Sequence, residues 1–230
     1  MIQLQNVTKI YSNGKTSCPA LDKVSFEIGK GEFIGIIGKS GSGKSTLLNI
    51  LSGVDHPSAG SVEINGTLVS ALSSKKLTKW RAANIGIVFQ AFHLIPTLTL
   101  MENVMLPMEF NKKGSRKKRR LRAAELLESV GLAERMNHFP DHVSGGEKQR
   151  AAIARSLAND PPIIMADEPT GNLDSENAFH IFSLFESLVD EGKTVIIVTH
   201  DQDLAIRADR TLQVKDGRIM NPLSRERELS

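Results

Sequence analysis

The sequence predicts an α/β fold: a mostly parallel sheet, an antiparallel β subdomain at the N-terminus, and a helical subdomain inserted into the core. Three observations carry this. Four short apolar runs, Phe33–Ile37 and residues 85–89, 163–166 and 195–198, are continuous rather than alternating, as in strands covered on both faces. Helical patterns at residues 44–52, 121–130, 147–158 and 176–190 fall between and beside them. No strand pattern occurs from Gln90 to Asn159, where helical signals prevail.

The first 30 residues read as β, with Val24, Phe26 and Ile28 alternating before a turn at Gly29-Lys30-Gly31. Residues 60–69 repeat the pattern, with Val62 and Ile64 leading into an Asn65-Gly66 turn. Phe33–Ile37 is the first fully buried strand, and the 44–52 helix follows it. Pro161-Pro162 ends the helical stretch and starts the next strand. The expected division is one domain, with residues 1–90 and 160–220 as the core, 91–159 as the helical subdomain and 221–230 as a polar tail.

Composition sets the boundary conditions. At 40 % apolar and 24 % charged the chain has ordinary globular usage. Its single cysteine, Cys18, cannot form an internal disulfide, which suits a reducing compartment. The N-terminus lacks the basic and apolar regions of a signal peptide, and the apolar runs fall far short of the roughly 18 residues of a spanning helix. The net charge of +3 hides an asymmetry: residues 112–122 hold eight of the 29 basic side chains and no acidic one, leaving 21 basic against 26 acidic elsewhere. The basic character is thus a local patch and not a general nucleic-acid surface. A solvated helix start accounts for it, with anionic lipid headgroups as the alternative partner.

The strongest motif is Gly38-Lys39-Ser40-Gly41-Ser42-Gly43-Lys44-Ser45-Thr46, a full match to G-x-x-x-x-G-K-[ST] between an apolar strand and a helix. Its glycines let backbone N–H groups turn in around a phosphate, and the helix start adds a positive dipole end. Lys44 is placed to reach the β- and γ-phosphates, and the Ser45 hydroxyl to take a position on Mg²⁺. A second element, Ile163-Ile164-Met165-Ala166-Asp167-Glu168, is a strand ending in two carboxylates. Asp167 suits Mg²⁺, and Glu168 suits the orientation of an attacking water. A third, Ser144-Gly145-Gly146-Glu147, is again a small-residue anion cradle before a helix, with Ser144 also a candidate N-cap. One triphosphate rarely needs two cradles, so the second is expected to serve a nucleotide bound by another copy.

Val143-Ser144-Gly145-Gly146-Glu147 resembles the Leu-Ser-Gly-Gly-Gln signature of ABC-transporter ATPases. The resemblance extends in order along nearly the whole chain and implies a P-loop NTPase core that binds and hydrolyses ATP with Mg²⁺. It assigns Gln90 to the Q-loop near Mg²⁺ and the attacking water. Asn172-Leu173-Asp174 becomes the D-loop at a dimer interface, His200 the switch histidine on the γ-phosphate, and Tyr11 the aromatic that stacks on adenine. The changes at Val143 and Glu147 bear on contacts to the ribose and not on the cradle.

Gln90-Ala91-Phe92-His93-Leu94-Ile95-Pro96-Thr97-Leu98-Thr99, Glu102-Asn103-Val104 and Gly171-Asn172-Leu173-Asp174-Ser175 are similar to the lipoprotein-release and macrolide-export branch (LolD/MacB/FtsE-like). That branch implies a homodimer of the ATPase on the cytoplasmic face of a membrane, joined to a separate FtsX/MacB/LolC-like permease. Residues 92–98 are either a docking site for that permease or core of the helical subdomain. A division-type regulator that signals to a membrane partner without moving a substrate is the alternative function. DNA-repair relatives carry long insertions between cradle and signature; here Lys44 and Ser144 are 100 residues apart, without heptads or Cys clusters.

Overall fold

A computed structural model describes residues 1–12, 17–171, 173–200 and 207–220, and the backbone of 223–224. The chain divides into two compact units, Met1–Arg81 with the segment from Leu188 onward, and Ala82–Ser187.

In the first unit, β1 (Ile2–Ser12), β2 (Ser17–Ile28), β4 (Ala59–Ile64) and β5 (Thr67–Leu68) form the antiparallel sheet in the order β2-β1-β4-β5. Ile2 lies opposite both Ile28 and Ile64, and Leu4 opposite Val62, so one face is a closed apolar layer. Register shifts between Leu4 and Ile10 mark irregular pairing of β1 with β2. Asn65 and Gly66 are both left-handed, as a two-residue hairpin turn requires. β3 (Phe33–Ile37) runs parallel to β8 (Thr194–Thr199) on one side and to β9 (Arg210–Lys215) on the other. α1 (Lys44–Leu51) follows β3 and buries Leu47, Leu48, Ile50 and Leu51. β10 (Arg218–Ile219) and β11 (Leu223–Ser224) extend β9. Apart from β11, the expected polar tail lies outside the described residues.

α2 (Ser74–Asn84) leads into the second unit, where β6 (Ile85–Val88) and β7 (Ile163–Asp167) pair in parallel. α3 (Leu100–Phe110), α4 (Arg116–Ser129) and α5 (Gly145–Ser156) pack through Val104, Met105, Met108, Ala123, Leu127, Ala151 and Ile153, all buried. α6 (Ser175–Asp190) buries Ile181, Phe182 and Phe185. α4 begins five residues before the expected 121, because the basic run forms its first turns and its charges mask the apolar period. Among the described residues no helix is long and apolar enough to cross a membrane.

Candidate nucleotide site

The phosphate loop leaves β3 at Gly38 and enters α1 at Lys44. Two of its glycines are dictated by space. A Cβ at Gly38 would stand 2.3 Å from the Val214 carbonyl oxygen; at Gly43, held at φ +105°, it would stand 2.4 Å from that of Ala20. The Lys44 side chain, 8 % exposed, folds back so that Nζ donates to the carbonyls of Gly38 (2.8 Å) and Lys39 (3.1 Å). The ammonium is thereby held at the centre of the loop. Ser42 Oγ is buried and has no hydrogen-bond partner, an unsatisfied donor within the cradle. A cavity of about 430 Å³ opens beside Gly38, Lys39, Ser40, Gly41 and Ser42, walled by residues 213–216 of the β9 end. Sequence reasoning missed that wall, although alternation at Leu212 and Val214 before an Asp216-Gly217 turn is a hairpin signal.

Strand register brings the remaining residues of this unit to the same end. Ile37 is level with Thr199 of β8 and Gln213 of β9, so His200 leaves its strand level with Gly38. His200 is exposed there. Tyr11, at the end of β1, has its hydroxyl near enough to Thr46 of the loop for that side chain to lower its pKa slightly. Its hydroxyl also donates to Asp55 Oδ2 at 3.0 Å, and Lys9 Nζ lies 4.9 Å from the ring centroid while bonding Asp55 Oδ1 at 2.7 Å. Burial, then the bond to Asp55, raises the phenol above its ordinary pKa, so it stays neutral. The ring is 44 % exposed and held from behind by a charged pair, neither member of which the sequence singled out.

The second unit carries the carboxylates. Asp167 ends β7 and Glu168 follows at φ +46°, a left-handed setting that costs a non-glycine residue about 1 kcal/mol and is retained at functional positions. Val88 pairs with Ala166, so the parallel register carries Gln90 level with Glu168. A Cβ at Gly171 would lie 3.1 Å from Gln90 Nε2, and Gly171 N–H donates to the Glu168 carbonyl at 3.2 Å. Gln90, Glu168 and Gly171 therefore form one cluster. Within this unit Asp167 and Gln90 both carry side-chain oxygens, the donor type that suits a hard cation such as Mg²⁺.

Residues after Gln90 are fastened by two side chains the sequence did not mark as structural. Phe92 and His93 are both left-handed. The guanidinium of Arg155, largely buried and lowered in pKa by that burial, donates through Nη2 to the Phe92 carbonyl at 2.7 Å and through Nη1 to that of His93. Asn103, fully buried, accepts from Ile95 N–H at 2.7 Å and donates to the carbonyls of Ile95, Leu98 and Thr99. Between these clamps Ile95, Pro96 and Thr97 stay exposed. Arg155→Ala is expected to cost about 2 kcal/mol in urea unfolding, and an unchanged stability would contradict the role of Arg155 as a clamp on the Phe92 and His93 carbonyls.

Ser144 caps α5, as its residue type allows. Its Oγ accepts from Glu147 N–H (3.2 Å) and Glu147 Oε2 accepts from Ser144 N–H (2.8 Å), a capping box. Glu147 also meets Arg135 Nε at 3.1 Å. The hydrogen bond from Ser144 N–H, with smaller contributions from the Ser144 hydroxyl and Arg135, outweighs partial burial and holds the Glu147 carboxyl below the usual range. The Glu at this position is thus engaged within the chain. Ser144 is thus engaged with Glu147 through both its backbone N–H and its hydroxyl. Gly145 is open, whereas Gly146 is buried where a Cβ would stand 2.5 Å from Asn177 Oδ1.

Asn177 ties this helix to the next. It accepts from Arg150 Nη1 at 3.3 Å, and both its backbone N–H and its Nδ2 donate to Asp174 at 2.8 Å. Those bonds hold the exposed Asp174 carboxyl low, the backbone bond contributing most. Asn172 lies outside the described residues.

A glycine cradle with a central lysine at the carboxyl end of parallel strands defines a P-loop nucleotide-binding protein. The ABC transporter family pattern matches residues 21–171, and the chain belongs to the ABC transporter ATP-binding proteins, a class of ATPase. It is 50 % identical over 223 residues to MJ0796, an uncharacterised ABC transporter ATP-binding protein of Methanocaldococcus jannaschii, covering 95 % of each chain. It is 48 % identical over 221 residues to the macrolide export ATP-binding/permease protein MacB of Chlorobaculum tepidum, covering 96 % of this chain and 34 % of that one. A solved dimeric post-hydrolysis structure of the MJ0796 cassette with ADP and Pi superposes with a TM-score of 0.91 at 46 % identity, covering 97 % of this chain and 98 % of that one.

Proposed function

We propose that two copies of this chain close around two ATP molecules and that the resulting cycle drives a separate membrane permease in export. The observation that carries this is the presence of two small-residue turns leading into helices, on different parts of one chain. The phosphate loop has a buried central lysine and an unsatisfied Ser42 hydroxyl, and the Ser144-Gly145 helix start is exposed. In the proposed assembly Lys44, Ser45, Thr46 and the amides of residues 38–43 hold one nucleotide, with Tyr11 against its base. Ser144, Gly145 and Gly146 of the other copy, with Glu147 as their cap and Asp174 nearby, complete its enclosure. The dimeric, ADP- and Pi-bound relative supports this arrangement.

Glu168 orients and deprotonates the attacking water, Gln90 positions it, and His200 contacts the γ-phosphate. Ser45, Asp167 and Gln90 would hold Mg²⁺, which supplies charge neutralisation of the phosphates. Closure by ATP and release after hydrolysis form the mechanical output, since charge-assisted hydrogen bonds between copies exist only while the triphosphate bridges them.

The permease reading rests on the exposed segment held by Asn103 and Arg155, and on the relative that carries cassette and permease in one chain. It places the chain on the cytoplasmic face of the membrane. Ile95→Glu is expected to abolish co-purification with the permease subunit while leaving ATP binding by the isolated chain unchanged. Retention of the permease by this variant would contradict the docking assignment. Tyr11→Ala is expected to weaken ATP binding by about 1–3 kcal/mol, roughly 5- to 150-fold, and to leave tripolyphosphate binding unaffected. A parallel loss for both ligands in titration calorimetry would exclude base stacking.

A further inference from the structure

The tip of the α3–α4 hairpin combines two features that the nucleotide cycle does not use. Side chains of Lys112, Arg116, Lys117, Lys118 and Arg120 are exposed. Among the described residues the ion pairs of this hairpin are Arg119 with Glu109 at 4.0 Å and Arg122 with Glu125 at 3.7 Å, so Lys112, Lys117 and Lys118 have no carboxylate at contact distance. Glu102 is the acidic group that faces Arg116 and Arg120, at longer range. The same hairpin carries Phe110, 78 % exposed, and Leu121, 63 % exposed, the two most exposed large apolar side chains among the described residues. Leu121 lies opposite the packed stripe of Ala123, Leu126 and Leu127 on α4, with Lys117 one turn before it.

We propose that this tip docks on an anionic lipid surface, its cations on the headgroups and Phe110 and Leu121 in the interface. Bare cations alone would serve any polyanion. Exposed phenyl and isobutyl groups beside them gain free energy only where an apolar layer lies beneath the charge, as at a bilayer surface. The helix does not lie flat, because exposed Glu125 and Glu128 follow on the outward side of α4; the hairpin enters tip first. The proposal is independent of the nucleotide assignments above.

The test is co-sedimentation of the full chain with phosphatidylcholine vesicles containing about a quarter phosphatidylglycerol, at low and physiological salt. Wild type is expected to bind these vesicles, more weakly as salt rises, and to ignore pure phosphatidylcholine. Reversing Lys117, Lys118 and Arg120 to Glu lowers binding by about 100-fold or more. Phe110→Ser with Leu121→Ser lowers it about tenfold. Lys117→Arg with Lys118→Arg keeps it, and every variant retains wild-type ATP binding, which shows that each is folded. Equal binding to neutral vesicles, no binding to anionic ones, no effect of the Ser pair, or displacement from vesicles by a small excess of duplex DNA each overturns the proposal.

Discussion

Glu168→Gln lowers the ATP hydrolysis rate by about 10²–10⁴-fold while ATP affinity stays within a fewfold of wild type. Glutamine keeps the size and shape of the side chain and loses the ability to take a proton from water. The residue sits at the exit of β7 in a left-handed conformation, with its carbonyl accepting from Gly171 N–H and with Gln90 level with it just beyond the end of β6. Such a backbone setting fixes where the carboxylate begins and removes the freedom to seek another position. The phosphate loop shares no residue with this cluster, so binding and hydrolysis are expected to separate. Steady-state phosphate release beside nucleotide titration checks both, and a wild-type hydrolysis rate would exclude Glu168 as the base.

Lys44→Ala acts on binding itself. The ammonium is buried in the loop and bonded to two of its carbonyls, so the substitution removes the central positive charge and the tie that shapes the loop. Two charge-assisted hydrogen bonds to phosphate, at about 1.5–3 kcal/mol each, put the expected loss of ATP affinity at about 100-fold or more. Calorimetric titration with ATP checks it; affinity within threefold of wild type would mean that Lys44 does not meet the triphosphate.

Much of the candidate site was legible because phosphate-binding chemistry calls for contiguous motifs. A cradle needs glycines at fixed spacing, and a metal-binding acid needs a strand to end on it, so residues 38–46 and Asp167-Glu168 could be read locally. The supports were not legible, since their spacing in the chain carries no signal. Asp55 reaches Tyr11 across 44 positions, Arg155 reaches Phe92 across 63, and the β9 wall closes on Gly38 from the far end of the chain. Asn103 follows the capping residue Glu102 in the chain, yet nothing in its residue type foretells a fully buried amide fastening four backbone groups. In the fold, α3 was missed as a separate helix although Thr99 and Glu102 spell a capping box at its start. Pro107 within it and the apolar residues on all sides blurred its period. The first turns of α4 were obscured in the opposite way, by charge without apolar spacing.

In the proposed assembly ATP joins two copies of the chain through the second cradle. Sizing of the Glu168→Gln variant by light scattering, with and without excess ATP and Mg²⁺, checks this, because bound ATP then persists. A monomer is expected without nucleotide, a dimer with ATP, and a return to monomer when Ser144→Glu places a carboxylate at the cradle. A variant that binds ATP yet stays monomeric, or a dimer indifferent to Ser144→Glu, would contradict it.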